Sequence, residues 1–162
     1  LVKKYCKGVD VVHHLAGITD VPRVKSESLP EKDNLIYKVA EKGTQNILDA
    51  ISDNCKIIMP SSHVVYEGLE SVIKDIQENE KTCPILSYGK SKDTNENQLK
   101  ASGKNFVILR LGSVYGYSTD TARIDIMANF FAKTASQNGT LRLFAGGKQI
   151  KSERDRKRLF AE

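Results

Sequence analysis

Short apolar runs alternate along this chain with longer amphipathic segments, and this alternation constrains the fold more than any other feature. The apolar runs are 8–17, 55–62, 105–116 and 140–147. Between them, apolar residues recur at helical spacing over 31–52, from near 84 to 101, and over 121–137. Runs of β-branched residues bounded by turn residues are typical of strands, and recurrence every three or four positions is typical of helices. The order strand, helix, strand, helix, strand, helix, strand predicts an α/β fold.

The apolar runs lack polar alternation, which is typical of parallel strands buried on both faces. We therefore predict a partial doubly wound parallel sheet of the Rossmann-like kind, with helices on both faces and right-handed crossovers. In such sheets the functional groups gather just past the carboxyl ends of the strands. Three segments satisfy this rule, namely 14–17, 60–67 and 110–116.

Length and composition indicate one ordinary domain, because the chain has 162 residues, of which 40% are hydrophobic and 28% charged. No stretch approaches the roughly 20 apolar residues of a membrane helix, and residues 1–10 lack the apolar centre of a secretion signal. Cys6, Cys55 and Cys83 form no CxxC pair, so neither a disulfide framework nor a zinc site is indicated. We expect a cytoplasmic protein with reduced thiols and no membrane partner.

The net charge of +5 comes mainly from residues 148–162, which hold six Lys or Arg and three Asp or Glu. A short charged run whose one aromatic residue is Phe160 is typical of solvated surface. We therefore expect no nucleic-acid partner. We also expect two regions, a catalytic domain over 1–150 and a basic tail over 151–162.

The stretch SYGKSK, residues 87–92, places the phenol of Tyr88 four positions before the ammonium of Lys92. Composition alone predicts roughly 0.7 tyrosines with a lysine at that spacing, so the bare pattern has no diagnostic value. Its setting is more informative, because Ser61 and Ser62 end a predicted strand shortly before it. A helix starting near Pro84 would carry Tyr88 and Lys92 on one face, toward that strand end.

These segments resemble a known family, the extended short-chain dehydrogenase/reductases, and within it the NAD-dependent epimerase/dehydratase group that acts on nucleotide sugars. The matching stretches occur in the family's order: DVVHHLAG, GTQNILDA, IIMPSSHVVYEG, SYGKSK and VILRLGSVYG. Each stretch alone is a weak signal, whereas the ordered set with the right separations is specific. The resemblance covers about residues 8–150.

The resemblance implies a catalytic set of Ser62, Tyr88 and Lys92. In that family the serine hydroxyl hydrogen-bonds the reacting oxygen and the tyrosine is the acid/base. The lysine binds the nicotinamide ribose and lowers the pKa of the phenol, so Tyr88 and Lys92 also belong to the cofactor site. The implied cofactor is NAD, or else NADP. The implied substrate is a nucleotide sugar that is oxidised to a ketone while hydride passes to the cofactor.

The resemblance also implies further contacts with cofactor, substrate and partner. Leu15, Ala16 and Gly17 resemble the turn that approaches the cofactor ribose and pyrophosphate, where small residues admit the backbone closely. Ser113 stands where the family often has an Asn that contacts substrate phosphates, and it joins Ser62 as a substrate-binding residue. The family commonly pairs through two helices, which implies a homodimer through the stretches 34–52 and 86–101.

Each residue of the implied catalytic set also has a purely structural interpretation. Tyr88 can pack at a helix start, Lys92 can be solvated and Ser62 can cap the next turn. The turn at 15–17 can likewise be a tight strand exit that requires glycine.

The adjacent histidines suggest a metal site, but no partner stands at ligand spacing. We predict that His13 and His14 are hydrogen-bonded core residues and that the protein holds no metal. Arg110 is interpreted as a structural ion-pair partner rather than a substrate clamp, and Tyr115 and Gly116 as residues that shape the strand end.

The sequence departs from the family in its phosphate-binding turn, since none of the 11 glycines forms GxGxxG or GxxGxxG. Residues 1–10 are typical of the end of a helix, and we expect the chain to be part of a longer protein. Ala40 stands where the family's central helix usually has an Asn that braces the site. Because the missing glycine-rich turn supplies the pyrophosphate contacts in that family, we expect weak or no NAD binding by this chain alone.

Two rival interpretations remain at this stage. In one, the sheet persists as a non-catalytic remnant or interaction module whose catalytic set is vestigial. In the other, the family assignment holds but the substrate is a steroid or flavonoid alcohol, which would require an apolar pocket instead of one that binds phosphates.

Overall fold

Three parallel strands and two long helices form the first of two units in a computed structural model that describes residues 1–19, 28–69, 75–119, 124 and 126–141. The elements are α1 (Val2–Tyr5), β1 (Val11–His13), α2 (Pro30–Leu48), β2 (Lys56–Ser62), a 3₁₀ turn (His63–Tyr66), α3 (Ser87–Ala101), β3 (Asn105–Leu111) and α4 (Met127–Ser136). The chain divides into two units, Leu1–Gly112 and Ser113–Glu162.

The sheet has the order β1–β2–β3, and both strand pairs are parallel. In the register, His13 lies opposite Ile58, and Ser62 lies opposite Leu111. α2 connects β1 to β2, and α3 connects β2 to β3. Strands added in one direction through right-handed crossovers place their helices on the same face of the sheet. The prediction of an α/β fold with a parallel sheet is confirmed.

The core lies between the sheet and the two long helices. Alternate residues of β2 point toward these helices, because successive side chains of a strand face opposite ways. The buried cluster is formed by Leu48, Ile51, Cys55, Ile57, Met59 and Leu99. Ile57 and Met59 come from β2, and Leu99 comes from α3, so one layer of helices covers one face of the sheet.

The opposite face of the sheet differs from the prediction that the strands are buried on both faces. On β3, Val107, Leu109 and Leu111 are 38%, 41% and 40% exposed. Within Leu1–Gly112, α2 and α3 both contribute to the cluster on the other face, which leaves these three side chains half-open. Strand order decides which face the crossover helices cover, and the apolar runs contain no information on that order.

Several element ends also differ from the predictions. The first strand, predicted over 8–17, is reduced to Val11–His13, and the third, predicted over 105–116, ends at Leu111. Tyr115 and Gly116 therefore lie beyond the strand rather than at its end. The helix predicted over 31–52 ends at Leu48, although Ile51 is still buried. The helical end predicted for residues 1–10 is present as α1.

The second unit is described over only part of its length. Its helix α4 begins later than the predicted 121–137 and ends one residue earlier. After the helix, the amide of Gly139 donates to the carbonyl of Thr134 at 2.8 Å, which closes the last turn. The predicted fourth strand lies outside the described residues from 142 onward, as does the predicted basic tail. The predicted boundary at residue 150 stays a prediction.

Every helix in the described ranges is too short or too polar to cross a bilayer.

Candidate active site

The carboxyl end of β2 extends past the end of β1. The amide of His14 donates to the carbonyl of Ile58 at 2.9 Å, next to the last register pair of the two strands. The backbone N–H and C=O groups of the even-numbered residues of β2 point toward β1. The backbone of Pro60 therefore points to the β1 side, just beyond the last register pair. The missing amide of proline therefore removes no ladder hydrogen bond, and the Pro60 carbonyl is open to another donor.

That donor is Lys92, from α3. Its Nζ lies 2.9 Å from the carbonyl oxygen of Pro60 and 5.7 Å from the centre of the Tyr88 ring. Tyr88 and Lys92 are one turn apart at the start of α3, which places them on one face of the helix. The structure thus brings both side chains to the end of β2, and Lys92 is half-buried rather than solvated.

Ser62 is the last residue of β2 and the N-cap of the following 3₁₀ turn. Its Oγ accepts a hydrogen bond from the amide of Val64 at 3.4 Å. The capping interpretation of this serine is therefore observed. It is compatible with a functional role, because a hydroxyl that accepts one hydrogen bond can still donate its own hydrogen to a ligand.

The 3₁₀ turn packs closely against the start of α3 at Gly89. A Cβ at this position would lie 3.0 Å from the carbonyl oxygen of Val64 and 3.0 Å from Cβ of Pro84. Any larger residue would therefore push the turn and the helix apart. The glycine sets the separation between the turn that Ser62 caps and the helix that carries Tyr88.

The electrostatics of the site centre on Lys92. Burial lowers the pKa of its ammonium, because the charged form loses hydration. Burial also lowers the pKa of His14, and the nearby charge of Lys92 lowers it further. Lys92 is therefore an electrostatic neighbour of both the end of β1 and the phenol ring on α3.

A buried polar network connects the end of β1 to both long helices. His14 Nε2 lies 2.8 Å from Thr44 Oγ1 on α2. Asn95 Nδ2 on α3 donates to the same hydroxyl at 2.8 Å and to the carbonyl of Ala40 at 3.0 Å. The prediction of a hydrogen-bonded core histidine is confirmed for His14 and wrong for His13, which is exposed. The side-chain amide of Asn95 on α3 thus contacts the backbone of Ala40, whose own side chain has no amide.

Glu96 is a buried polar residue with several partners that none of the sequence motifs above identified. Its side chain is 0% exposed and pairs with Arg110, whose Nη2 lies 2.6 Å from Oε2. Arg110 Nε also donates to Oε1 at 3.0 Å, and the hydroxyl of Ser61 donates to Oε1 at 2.6 Å. The interpretation of Arg110 as a structural ion-pair partner is confirmed.

Two sequence signals could have identified this pair. Tyr88, Lys92 and Glu96 follow one another at intervals of four on a helix, and Arg110 interrupts an apolar strand. A charged residue within an apolar strand requires a buried partner of opposite charge. Burial opposes ionisation of Glu96, but the hydrogen bonds from Arg110 and Ser61 hold the pKa of its carboxyl below its ordinary value.

The turn proposed for the cofactor follows β1 at the same edge of the sheet. Leu15, Ala16 and Gly17 are exposed, and Leu15 is exposed by 71%. Apart from its two chain neighbours, no atom of the described residues lies within 4 Å of the position that a Cβ would occupy at Gly17. An open turn of small residues allows the backbone contacts that a dinucleotide requires. In the described contacts, the ammonium of Lys92 makes one of its three possible hydrogen bonds, so it can also donate to ribose hydroxyls. These residues fit a nicotinamide dinucleotide.

The substrate-binding role of Ser113 stays a prediction. Ser113 is exposed, lies past the end of β3 and belongs to the second unit. Across the described residues, no group of three or more His, Cys, Asp or Glu side chains is placed to hold a metal ion.

Comparison with known proteins decides the family. Residues 2–146 match the model of the family described as the RmlD substrate binding domain. The chain belongs to this family. A relative of this RmlD-family chain, the probable low-salt glycan biosynthesis reductase Agl14 of Haloferax volcanii, is 31% identical over 138 residues. The match covers 84% of the present chain and 43% of that relative.

Solved structures share the fold of this RmlD-family chain. The UDP-glucuronic acid 4-epimerase of Bacillus cereus, crystallised with NAD, superposes with a TM-score of 0.68 at 27% identity, over 90% of this chain and 45% of that one. The dTDP-4-dehydrorhamnose reductase of Bacillus anthracis, in complex with NADP, superposes with a TM-score of 0.61 over 84% of this chain and 45% of that one. At 20% identity the second likeness shows the fold alone.

The predicted kinship with the extended short-chain dehydrogenase/reductases is confirmed by these matches. The RmlD-family chain spans less than half the length of the relatives that it matches.

Proposed function

We propose that this chain contributes the acid/base part of a nicotinamide-dependent epimerase or reductase that acts on a nucleotide sugar. The contact between Lys92 and Tyr88 at the end of β2 carries the proposal. It supplies a phenol and an ammonium on one helix face, beside the strand that ends in Ser62. The substrate class is inferred from the relatives, which include a UDP-glucuronic acid 4-epimerase.

In this mechanism Tyr88 exchanges a proton with the oxygen of a sugar carbinol. The ammonium of Lys92 favours the phenolate, because an adjacent positive charge stabilises the deprotonated form of the phenol. Ser62 donates a hydrogen bond to the same substrate oxygen and thereby orients it. A nicotinamide dinucleotide, when bound, supplies the hydride acceptor or donor. Lys92 and the backbone of residues 15–17 would hold that cofactor, which is NAD or NADP.

The decisive experiment compares Tyr88→Phe with wild type in the native protein that contains this chain. The measurement is turnover of uridine- and thymidine-linked sugars with NAD or NADP. We expect turnover to fall by about 10²- to 10⁴-fold, because general acid/base catalysis contributes about that much. Tyr5→Phe, at an exposed tyrosine of α1, is the matched control and should leave turnover unchanged.

Unchanged turnover in Tyr88→Phe would instead favour the interpretation of the domain as a non-catalytic remnant. Turnover of apolar alcohols but not of nucleotide sugars would replace the substrate class with steroid- or flavonoid-like alcohols.

Binding of the cofactor by the 162-residue chain alone is expected to be weak. Pyrophosphate contacts supply much of the affinity for a dinucleotide, and this sequence has no glycine-rich turn to make them. Isothermal titration with NAD should therefore show no saturation at micromolar concentrations. Micromolar affinity would contradict this expectation and would indicate that residues 15–17 and Lys92 suffice.

The proposal includes a reducing cytoplasmic environment and a homodimer. The three cysteines are unpaired, which fits a reducing compartment. On α2, Leu35 and Val39 are one turn apart and exposed, so they offer an apolar stripe for pairing through 34–52 and 86–101. Sedimentation analysis should give a dimer for the native protein and a monomer for its Leu35→Lys variant. A monomeric wild type would contradict the homodimer.

A further inference from the structure

Glu96 is placed so that it can control the geometry of the proposed catalytic set without touching a substrate. It lies one turn beyond Lys92 on α3, and its side chain is fully buried. Its Oε1 accepts from the hydroxyl of Ser61 at 2.6 Å. Ser61 stands between Pro60, which Lys92 holds, and Ser62, which is the proposed substrate contact.

Two side chains of α3 therefore hold successive residues of β2. Lys92 binds the backbone of Pro60, and Glu96 binds the side chain of Ser61. The strand is fixed at both its main chain and its core-facing side, immediately before Ser62. Any rotation or slip of the strand end relative to α3 would have to break one of these two contacts.

Arg110 extends the same arrangement to β3 and to the segment after β2. Its guanidinium holds both carboxylate oxygens of Glu96. Its Nη1 donates to the hydroxyl of Tyr66, the last residue of the 3₁₀ turn, and to the carbonyl of Glu78 at 3.0 Å. Glu96 is thus the single carboxylate on which α3, the end of β2 and β3 converge in the described contacts.

Stability alone does not account for a buried ion pair at this place. Removal of two charges from water is unfavourable, and well-packed apolar residues of similar volume often give equal or greater stability. What a carboxylate adds is direction, because its hydrogen bonds have narrow ranges of length and angle. A displacement of about 1 Å in an active site can lower turnover by about 10²-fold, so fixed geometry has a functional value.

We propose that Glu96 is a positioning residue, whose contacts with Ser61 and Arg110 fix where Ser62 stands relative to Tyr88 and Lys92. The inference rests on the proposed function for the meaning of that geometry. The geometry itself does not depend on the proposed function, because it can be measured without turnover.

The main test is Ser61→Ala in the 162-residue chain, because it removes the contact to β2 and leaves the Glu96–Arg110 pair intact. The first readout is hydrogen exchange of the backbone amides of residues 62–66. We expect exchange there to become about tenfold faster than in wild type while the amides of α2 are unchanged, because local loosening opens only the segment concerned. The second readout is the pKa of Lys92 followed by ¹³Cε chemical shift. It should rise toward the ordinary value as water reaches the ammonium.

Thr94→Ala is the matched control, since in the described contacts the Thr94 hydroxyl donates within α3, to the carbonyl of Lys90 at 3.0 Å. It should change neither readout. A contact that merely stabilises the unit would speed exchange in α2 and in residues 62–66 by the same factor, and that result would overturn the proposal. Unchanged exchange and an unchanged Lys92 pKa in Ser61→Ala would overturn it as well.

A kinetic arm separates this inference from the proposed function. In the native protein, Ser61→Ala should lower kcat by about tenfold and change KM by less than about twofold, because the transition state is more sensitive to alignment than binding is. A loss of affinity with unchanged kcat would contradict positioning. If Tyr88→Phe leaves turnover unchanged, the proposed function fails, whereas the exchange and pKa readouts still decide the role of Glu96.

Discussion

The ends of β1 and β2 lie at the same edge of the sheet but are held in opposite ways. The end of β2 is bound by Lys92 at Pro60 and by Glu96 at Ser61, both from α3. The end of β1 continues into an exposed turn, in which a Cβ added at Gly17 would meet none of the described atoms within 4 Å beyond its chain neighbours. Proton chemistry requires fixed groups, whereas contact with a dinucleotide requires accessible backbone. In the proposed function, the end of β2 would supply the fixed groups and the end of β1 the accessible backbone.

The largest expected effect comes from removing Arg110, which holds Glu96 and, through it, the end of β2. Arg110→Ala leaves Glu96 buried without its main partner, and loss of one member of a buried pair destabilises by about 3–5 kcal/mol. The side chain of Lys100, the second cation described beside Glu96, is 48% exposed, so Lys100→Ala should change stability by less than about 1 kcal/mol. Urea unfolding of both variants measures the difference. Equal losses would show that the buried network contributes no more than a surface ion pair.

A smaller effect is expected from a methyl group added beside each strand end, at Gly89 of α3 next to the turn after β2 and at Gly17 after β1. Gly89→Ala forces the 3₁₀ turn away from α3, and overpacking costs about 1–3 kcal/mol, partly offset by about 1 kcal/mol of helix propensity. We expect a net loss of about 1 kcal/mol. Gly17→Ala meets open space and should change stability by less than about 0.5 kcal/mol. Thermal unfolding of the two variants would contradict the comparison if Gly17→Ala were the more damaging.

The smallest effect is the pH dependence of stability that Glu96 contributes at the end of β2. The pKa of Glu96 is lowered in the folded state, so its contribution to stability is complete above about pH 4.3, the ordinary glutamate value, and is lost as pH falls through the lowered value. Between about pH 5 and about pH 3, the free energy of unfolding of Glu96→Gln should therefore fall less than that of wild type. Denaturant titrations over this range provide the measurement, and parallel curves would contradict it.

The helices and strands were largely predictable from the sequence, because their signals are local. The apolar runs around Ile57 and Ile108 and the spacing of apolar residues in α2 and α3 are properties of short segments. The ends of the strands were less predictable. Leu111 ends β3 although Val114 and Tyr115 continue the β-prone composition, because strand length depends on the partner strand as well as on propensity.

The site was predictable only in part, and the reason is the range of its contacts. Tyr88 and Lys92 are four residues apart, so helix geometry alone places them together. The contacts of Glu96 with Ser61 and Arg110 span 35 and 14 positions, and no local pattern specifies which strands lie beside α3. The exposure of Val107, Leu109 and Leu111 escaped prediction for the same reason, since it follows from strand order.

The proposed function depends most on the effect of the Lys92 charge on the phenol of Tyr88. The most direct measurement is a ¹³C NMR titration of the tyrosine rings in wild type and Lys92→Met, with the Lys92 ¹³Cε shift recorded in the same wild-type samples. We expect the Tyr88 phenol to ionise at lower pH in wild type than in Lys92→Met, because the ammonium favours the phenolate while it remains protonated. A Tyr88 titration that is unchanged by Lys92→Met would contradict the account.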